Sequence, residues 1–150
     1  MLAQAAKENE GTYFCIEKQA HFAQRVKQGC VESGFPHVII QADSGDIEEF
    51  VWAEHLDFVL LDGDHSPEAI EHEVAMVYPK LKGYIALHDT SAWSAKGYYA
   101  VLDNPAYDWE YISFPYNFGL ALLRKRAERV VPNEDWPDRP YAENGGVIVL

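Results

Sequence analysis

Along the first ninety residues, short apolar runs alternate with longer amphipathic ones, and the apolar runs give way to charged or polar side chains. Residues 13–16 end at Glu17, residues 38–40 lead through Gln41 and Ala42 to Asp43 and Ser44, residues 58–61 stop at Asp62, and residues 84–87 stop at His88 and Asp89. Brief apolar runs bounded by such breaks predict buried strands. The stretches between them repeat at helical spacing. Residues 2–9 are helix formers stopped by Gly11; residues 19–33 place Phe22, Val26 and Cys30 on one stripe before Gly34 and Pro36 end the helix. Residues 67–78 put Ile70, Val74 and Val77 on one face, with Pro67 at the first turn. Glu68, Glu71, His72 and Glu73 decorate the rest of that helix and read as a solvated face. A short helix is expected over 47–52, and Lys82-Gly83 reads as a tight turn into the strand at 84.

Strands that alternate with helices must lie parallel, since a crossover returns the chain to the same edge of the sheet. After residue 90 the pattern changes: aromatic residues crowd in, and 111–114 and 117–123 read as two strands joined through Pro115-Tyr116, an antiparallel end. The expected fold is therefore α/β, a Rossmann-like three-layer sandwich with a mostly parallel sheet and a C-terminal antiparallel hairpin. One domain over 1–150 is expected, with about 126–150 as an irregular extension rich in proline; residues 147–150 could form a final strand.

Composition narrows the partners. Asp plus Glu number 24 against 12 Lys plus Arg, a net charge of −12, which repels a phosphate backbone. Nucleic acid is thereby an unexpected partner. The basic cluster Arg124, Lys125, Arg126 and Arg129 reads as a solvated element end. Cys15 and Cys30 have no CxxC spacing and read as buried, reduced thiols. With no apolar run of membrane-spanning length and no basic-then-apolar leader, the expectation is a cytoplasmic protein with no membrane association.

The candidate chemistry gathers between residues 57 and 89. Strands ending at Asp62 and at Asp89 bring Asp62, Asp64, His65, His88 and Asp89 to one edge, where open α/β sheets bind ligands. Three carboxylates near one point repel one another unless a cation, a proton or a basic partner intervenes. Asp62, Asp64, His88 and Asp89 could hold a divalent metal; oxygen donors suit Mg²⁺ or Mn²⁺, and the histidines shift the preference toward Mn²⁺, Fe²⁺ or Zn²⁺. Plainer readings stand beside this one: Asp62 or Asp64 caps the helix starting at Pro67, and His88 is merely packed. Glu17 and Asp43 end the two earlier strands in the same way, as acids that could accept from ribose hydroxyls and from an exocyclic amine, and so hold a nucleoside.

With these residues in view, the chain resembles the class I S-adenosylmethionine-dependent methyltransferases. It is most similar to the small-molecule O-methyltransferase-like group whose fourth strand ends in DGDHS and whose fifth ends in HD, matched here by 57–66, 81–83 and 85–89. YFCIEK at 13–18 resembles the second strand with its ribose-binding acid, VIIQADS at 38–44 the third, and FPYNFGLALLRK at 114–125 the closing antiparallel pair. The resemblance implies S-adenosylmethionine as cofactor, held by Glu17, Asp43, Ser44 and Asp62, and a small-molecule acceptor. It also implies a divalent ion on Asp62 or Asp64 with His88 and Asp89, catalytic roles for Asp62, His65 and His88, and acceptor-pocket walls from Trp93, Tyr98 and Tyr99. Core packing is the alternative for those aromatics. A metal-dependent hydrolase or hydroxylase-like enzyme using the same crevice, or a non-catalytic binding remnant, is the alternative for the whole. The family's first strand and glycine-rich loop are expected before residue 2, and the chain has neither there. Three arrangements remain open: a truncated chain, a strand supplied by another copy in a homo-oligomer, or residues 147–150 folding back into the vacant slot.

Overall fold

The computed structural model describes residues 1–46, 53–91 and 95–126, together with the backbone of Ile148–Val149. In chain order the elements are α1 (Leu2–Glu8), β1 (Tyr13–Ile16), α2 (Ala20–Ser33), β2 (His37–Ile40), β3 (Leu56–Leu61), α3 (Pro67–Val77), β4 (Leu81–His88), α4 (Ala95–Asp103), β5 (Trp109–Phe114), β6 (Leu120–Lys125) and β7 (Ile148–Val149). The helix expected over 47–52 and most of the extension expected over about 126–150 lie outside the described residues.

The strands form two ladders, β2-β1-β7 and β3-β4-β6-β5. β1 pairs in parallel with β2 and β7, β3 in parallel with β4, and β6 antiparallel to both β4 and β5. β7 registers Ile148 against Phe14 and Val149 against Cys15, and packs beside β3 without joining its ladder. The C-terminal strand thus fills the space between β1 and β3, the position the resemblance reserves for a first strand.

Side-chain alternation divides the core between two faces. β1 sends Tyr13 and Cys15 to a small cluster with Ala6 of α1 and Cys30 of α2, while Ile16 joins the main cluster with Ile70, Val74 and Val77 of α3. Helices therefore cover both faces of the sheet, which is the expected α/β sandwich. In α2 the inward residues are Ala23 and Cys30, with Val26 packed against the cluster, whereas Phe22 is 40% exposed. The expected stripe holds at Val26 and Cys30, and Ala23 takes the inward place expected for Phe22. Both thiols are buried and free, and burial pushes their pKa values up, which keeps them unreactive.

Local signals placed several boundaries well. Gly34 ends α2 in the left-handed conformation (φ 64°), donating back to Cys30 and Val31. Ser66 caps α3 by accepting from Ala69 N, with Pro67 in the first turn. Lys82-Gly83, however, is no turn: β4 begins at Leu81 and runs through both residues. Glycine is required there because β3 shifts register between Leu56 and Phe58, bringing the Asp57 carbonyl so close that a Cβ on Gly83 would lie 1.8 Å from its oxygen.

Candidate active site

The C-terminal ends of β3 and β4 are adjacent because Leu61 registers against Leu87, which brings Asp62 beside His88. His88 Nδ1 stands 2.7 Å from Asp62 Oδ1 and 3.2 Å from Asp89 Oδ1, and His65 Nε2 stands 3.1 Å from Asp89 Oδ2. Four of the five expected residues therefore form one alternating chain, Asp62, His88, Asp89, His65. The two imidazoles stand between the carboxylates, His88 between Asp62 and Asp89 and His65 on the far oxygen of Asp89. Among the described residues, His88 Nδ1 and Asp89 Oδ1 are buried without a hydrogen-bond partner although they stand at ion-pairing distance, and the other ring nitrogen of His65, Nδ1, is likewise buried without one.

The backbone around this chain is tightly specified. Asp89 adopts φ 55°, an uncommon conformation for a residue with a side chain and a known form of strain at working sites. The turn before β6 braces it: Ser91 N donates to Phe118 O at 2.8 Å, and a Cβ on Gly119 (φ 93°) would meet Thr90 Oγ1 at 2.7 Å. On the other side, α4 packs its Gly97 under the loop after β3, where a Cβ would lie 2.8 Å from the His65 carbonyl oxygen. His65 and Asp89 are held by elements distant in sequence.

Asp64 parts from the group. Its Oδ1 accepts from Ser66 N at 2.8 Å, an Asx turn leading into α3, and its side chain lines a different wall. Among the described residues, no group of three or more His, Cys, Asp or Glu could hold a metal ion. The physical reason lies in the donors: Asp62 and Asp89 close on an imidazole nitrogen, and a metal needs oxygens about 2.0–2.2 Å away with that space vacant. The expected set Asp62, Asp64, His88 and Asp89 does not fit a divalent ion in this arrangement.

A crevice of about 330 Å³ lies between the ends of β1, β2 and β3, lined by Glu17, Lys18, Asp43, Ser44, Gly63 and Glu73 among others. Glu17 is oriented by accepting from Gln19 N at 2.7 Å. Asp43 is engaged twice, by Lys18 Nζ at 2.5 Å and by Gly45 N at 3.1 Å, and these bonds hold its carboxyl below the usual carboxylate range. Ser44 donates to Glu73 Oε1 at 2.5 Å. Glu73, expected on the solvated face of α3, is only 2% exposed, and burial pushes its pKa up. Helical periodicity could have flagged it, since Glu73 lies three residues after Ile70 on the buried side.

A second cavity of about 410 Å³ shares Gly63 and Asp64 with the crevice and continues past His65, Ser66 and Pro67 to Lys96. Of the aromatics expected around an acceptor, Tyr98 is in the core, edge-on to Tyr111, Tyr99 is exposed, and Trp93 lies outside the described residues.

A strand order with acids at consecutive carboxyl ends, a crevice across them and an antiparallel closing pair defines a Rossmann-like, class I methyltransferase-type domain. Residues 1–90 match the family model described as a methyltransferase domain, and the chain belongs to that family. Among solved structures, a protein from Corynebacterium glutamicum is similar with a TM-score of 0.64 and 16% identity, covering 80% of this chain and 63% of that one. A Staphylococcus aureus protein described as a putative caffeoyl-CoA O-methyltransferase is similar with a TM-score of 0.53 and 12% identity, covering 83% and 80%. At such identities the likeness establishes the fold. The chain spans 63% of the length of the Corynebacterium protein. No curated protein matches it. Among the described residues, no helix is long and apolar enough to cross a membrane.

Proposed function

We propose that this domain binds S-adenosylmethionine in the crevice between β1, β2 and β3 and takes part in methyl transfer to a hydroxyl of a small-molecule acceptor. The observation that carries the reading is the adjacency of two cavities across Gly63-Asp64, the second of them lined by His65, the end member of the His–Asp chain. The crevice falls within the roughly 300–1,000 Å³ typical of small-ligand sites. Its acceptors suit a nucleoside, with Glu17 for ribose hydroxyls and Asp43 and Ser44 at the base end. When bound, S-adenosylmethionine supplies an electrophilic methyl group.

The chain's own part is to orient the acceptor and take its proton. With the Nδ1 proton of His88 facing Asp62 and Asp89, the neutral ring carries its lone pair on Nε2, where it can accept from an acceptor hydroxyl. The imidazolium that forms is stabilised by the two carboxylates, while His65 steadies Asp89 from its other oxygen. Gly63, His65, Ser66, Pro67 and Lys96 would bound the acceptor and limit water around it. In this reading Asp62 serves His88, and no step passes through a metal.

We take residues 1–150 as a single domain, cytoplasmic, with self-association open to measurement by light scattering. Isothermal titration with S-adenosylhomocysteine tests the central claim. Micromolar binding, weakened about tenfold in Glu17→Ala by loss of a charge-assisted hydrogen bond, is expected; no heat of binding to the wild-type chain overturns it. A parallel titration after chelation and re-addition of Mg²⁺ or Mn²⁺ examines metal assistance: cofactor binding that needs the ion overturns the metal-free arrangement.

A further inference from the structure

Glu73 and Ser44 meet across 29 residues of sequence in the wall of the crevice, where the proposed reading puts the base. Glu73 is 2% exposed, one of its oxygens accepts from Ser44 Oγ, and the other is buried with no partner. Gly63 closes over the pair: a Cβ there would lie 3.4 Å from Glu73 Oε1 and 3.9 Å from Ser44 Oγ. Such a buried carboxyl costs free energy, and among the described residues the serine hydroxyl is the side chain seen to hydrogen-bond it.

A free serine hydroxyl rotates, so it can donate or accept. Facing a carboxyl oxygen that only accepts, it must donate. We propose that Glu73 is a positioning residue that commits the Ser44 proton, leaving Ser44 to present lone pairs alone to the crevice. Ser44 thereby selects a purine carrying an exocyclic amine, as in adenine, over one carrying a carbonyl in its place, as in hypoxanthine. The inference rests on the S-adenosylmethionine reading and deepens it.

Two further observations agree. Asp43, the acid first expected to accept from such an amine, already accepts on both oxygens, from Lys18 and from Gly45, so a second acceptor on the neighbouring serine adds to what that end of the crevice offers an amine. Burial favours a proton on Glu73, and the unpartnered Oε2 is the oxygen that can carry it. Oε1 accepts in either ionisation state, so the direction of the Ser44 hydrogen bond does not change with pH.

The test compares S-adenosylhomocysteine with S-inosylhomocysteine by calorimetry on the full chain. The wild type should prefer the adenosyl ligand by about tenfold, the worth of one hydrogen bond and one unpaired acceptor. In Glu73→Gln the amide can donate to Ser44 Oγ and release the serine proton toward the ligand, so the ratio should fall to near one, with the inosyl ligand gaining. Ser44→Ala should also bring the ratio to near one, and because Ser44 is half-buried this variant carries the test if Glu73→Gln does not fold. A merely structural role for Glu73 weakens both ligands alike. A wild-type ratio retained in a folded Glu73→Gln or Ser44→Ala variant overturns the proposal and leaves the cofactor reading standing; binding of neither ligand to the wild type overturns both.

Discussion

Gly83→Ala tests how far the site depends on the fit of β3 against β4. The added Cβ would lie 1.8 Å from the Asp57 carbonyl oxygen, 2.7 Å from its carbon and 3.1 Å from its Cα. All three are backbone atoms, so no side chain can turn aside. To restore even a 3.0 Å approach, the strands must part by more than about 1 Å, enough to stretch a normal hydrogen bond beyond its useful range. The perturbation falls where Leu56 and Leu81, 0% and 2% exposed, anchor the core. Losing one or two ladder bonds at about 1 kcal/mol each, together with loosened packing at about 1 kcal/mol, gives about 3 kcal/mol. For a chain of this size that lowers Tm by roughly 10 °C. The control is Gly29→Ala on the exposed side of α2, where a Cβ meets nothing within 4 Å; there the same change should stabilise by about 0.5–1 kcal/mol. Urea unfolding of both variants, followed by circular dichroism, gives the comparison. A Gly83→Ala midpoint equal to the wild type's would refute the close-approach reasoning.

Burial raises the Glu73 carboxyl above its ordinary value of 4.5. The folded chain thus binds that proton more readily than the unfolded chain, and the associated stability, fully present below the unfolded value, is lost as pH rises through the raised one. Glu73→Gln escapes this loss, so its stability relative to the wild type should improve as pH rises above the ordinary carboxyl value of 4.5; a gap independent of pH would count against a buried titrating carboxyl. His88→Ala should cut methyl transfer by about 10²–10⁴-fold while leaving S-adenosylhomocysteine affinity unchanged, and loss of affinity in step with turnover would remove His88 from the base role. Deleting residues 147–150 removes the pairing of β7 with Phe14 and Cys15 and should cost about 2 kcal/mol, one hydrogen bond's worth at each position. An unchanged urea midpoint would deny β7 a part in the sheet.

Much of the architecture was legible from local physics. Apolar runs of three or four with polar stops located β1 to β4, because a strand buried on both faces needs no alternation. Spacing placed α2 and α3, and Gly34, Ser66 and Pro67 marked their ends, since caps act within one turn. The convergence of Asp62, His65, His88 and Asp89 followed from parallel connectivity alone. α4 was not legible: its Gly97-Tyr98-Tyr99 sequence has weak helix propensity, and it is held by packing on Ile70 and the His65 carbonyl.

What the sequence by itself determined, then, is the order of the elements and which ionisable residues reach the ligand-binding edge, because periodicity and strand termini are local properties. Tertiary structure decided what those residues do to one another. It paired His88 with two aspartates, turned Asp64 back onto Ser66 N, buried Glu73 beneath Ser44, set Gly83 inside a strand and brought Ile148–Val149 beside Tyr13–Ile16. Each of these depends on distances between segments far apart along the chain, and such distances are fixed only when the sheet closes and its two faces are covered.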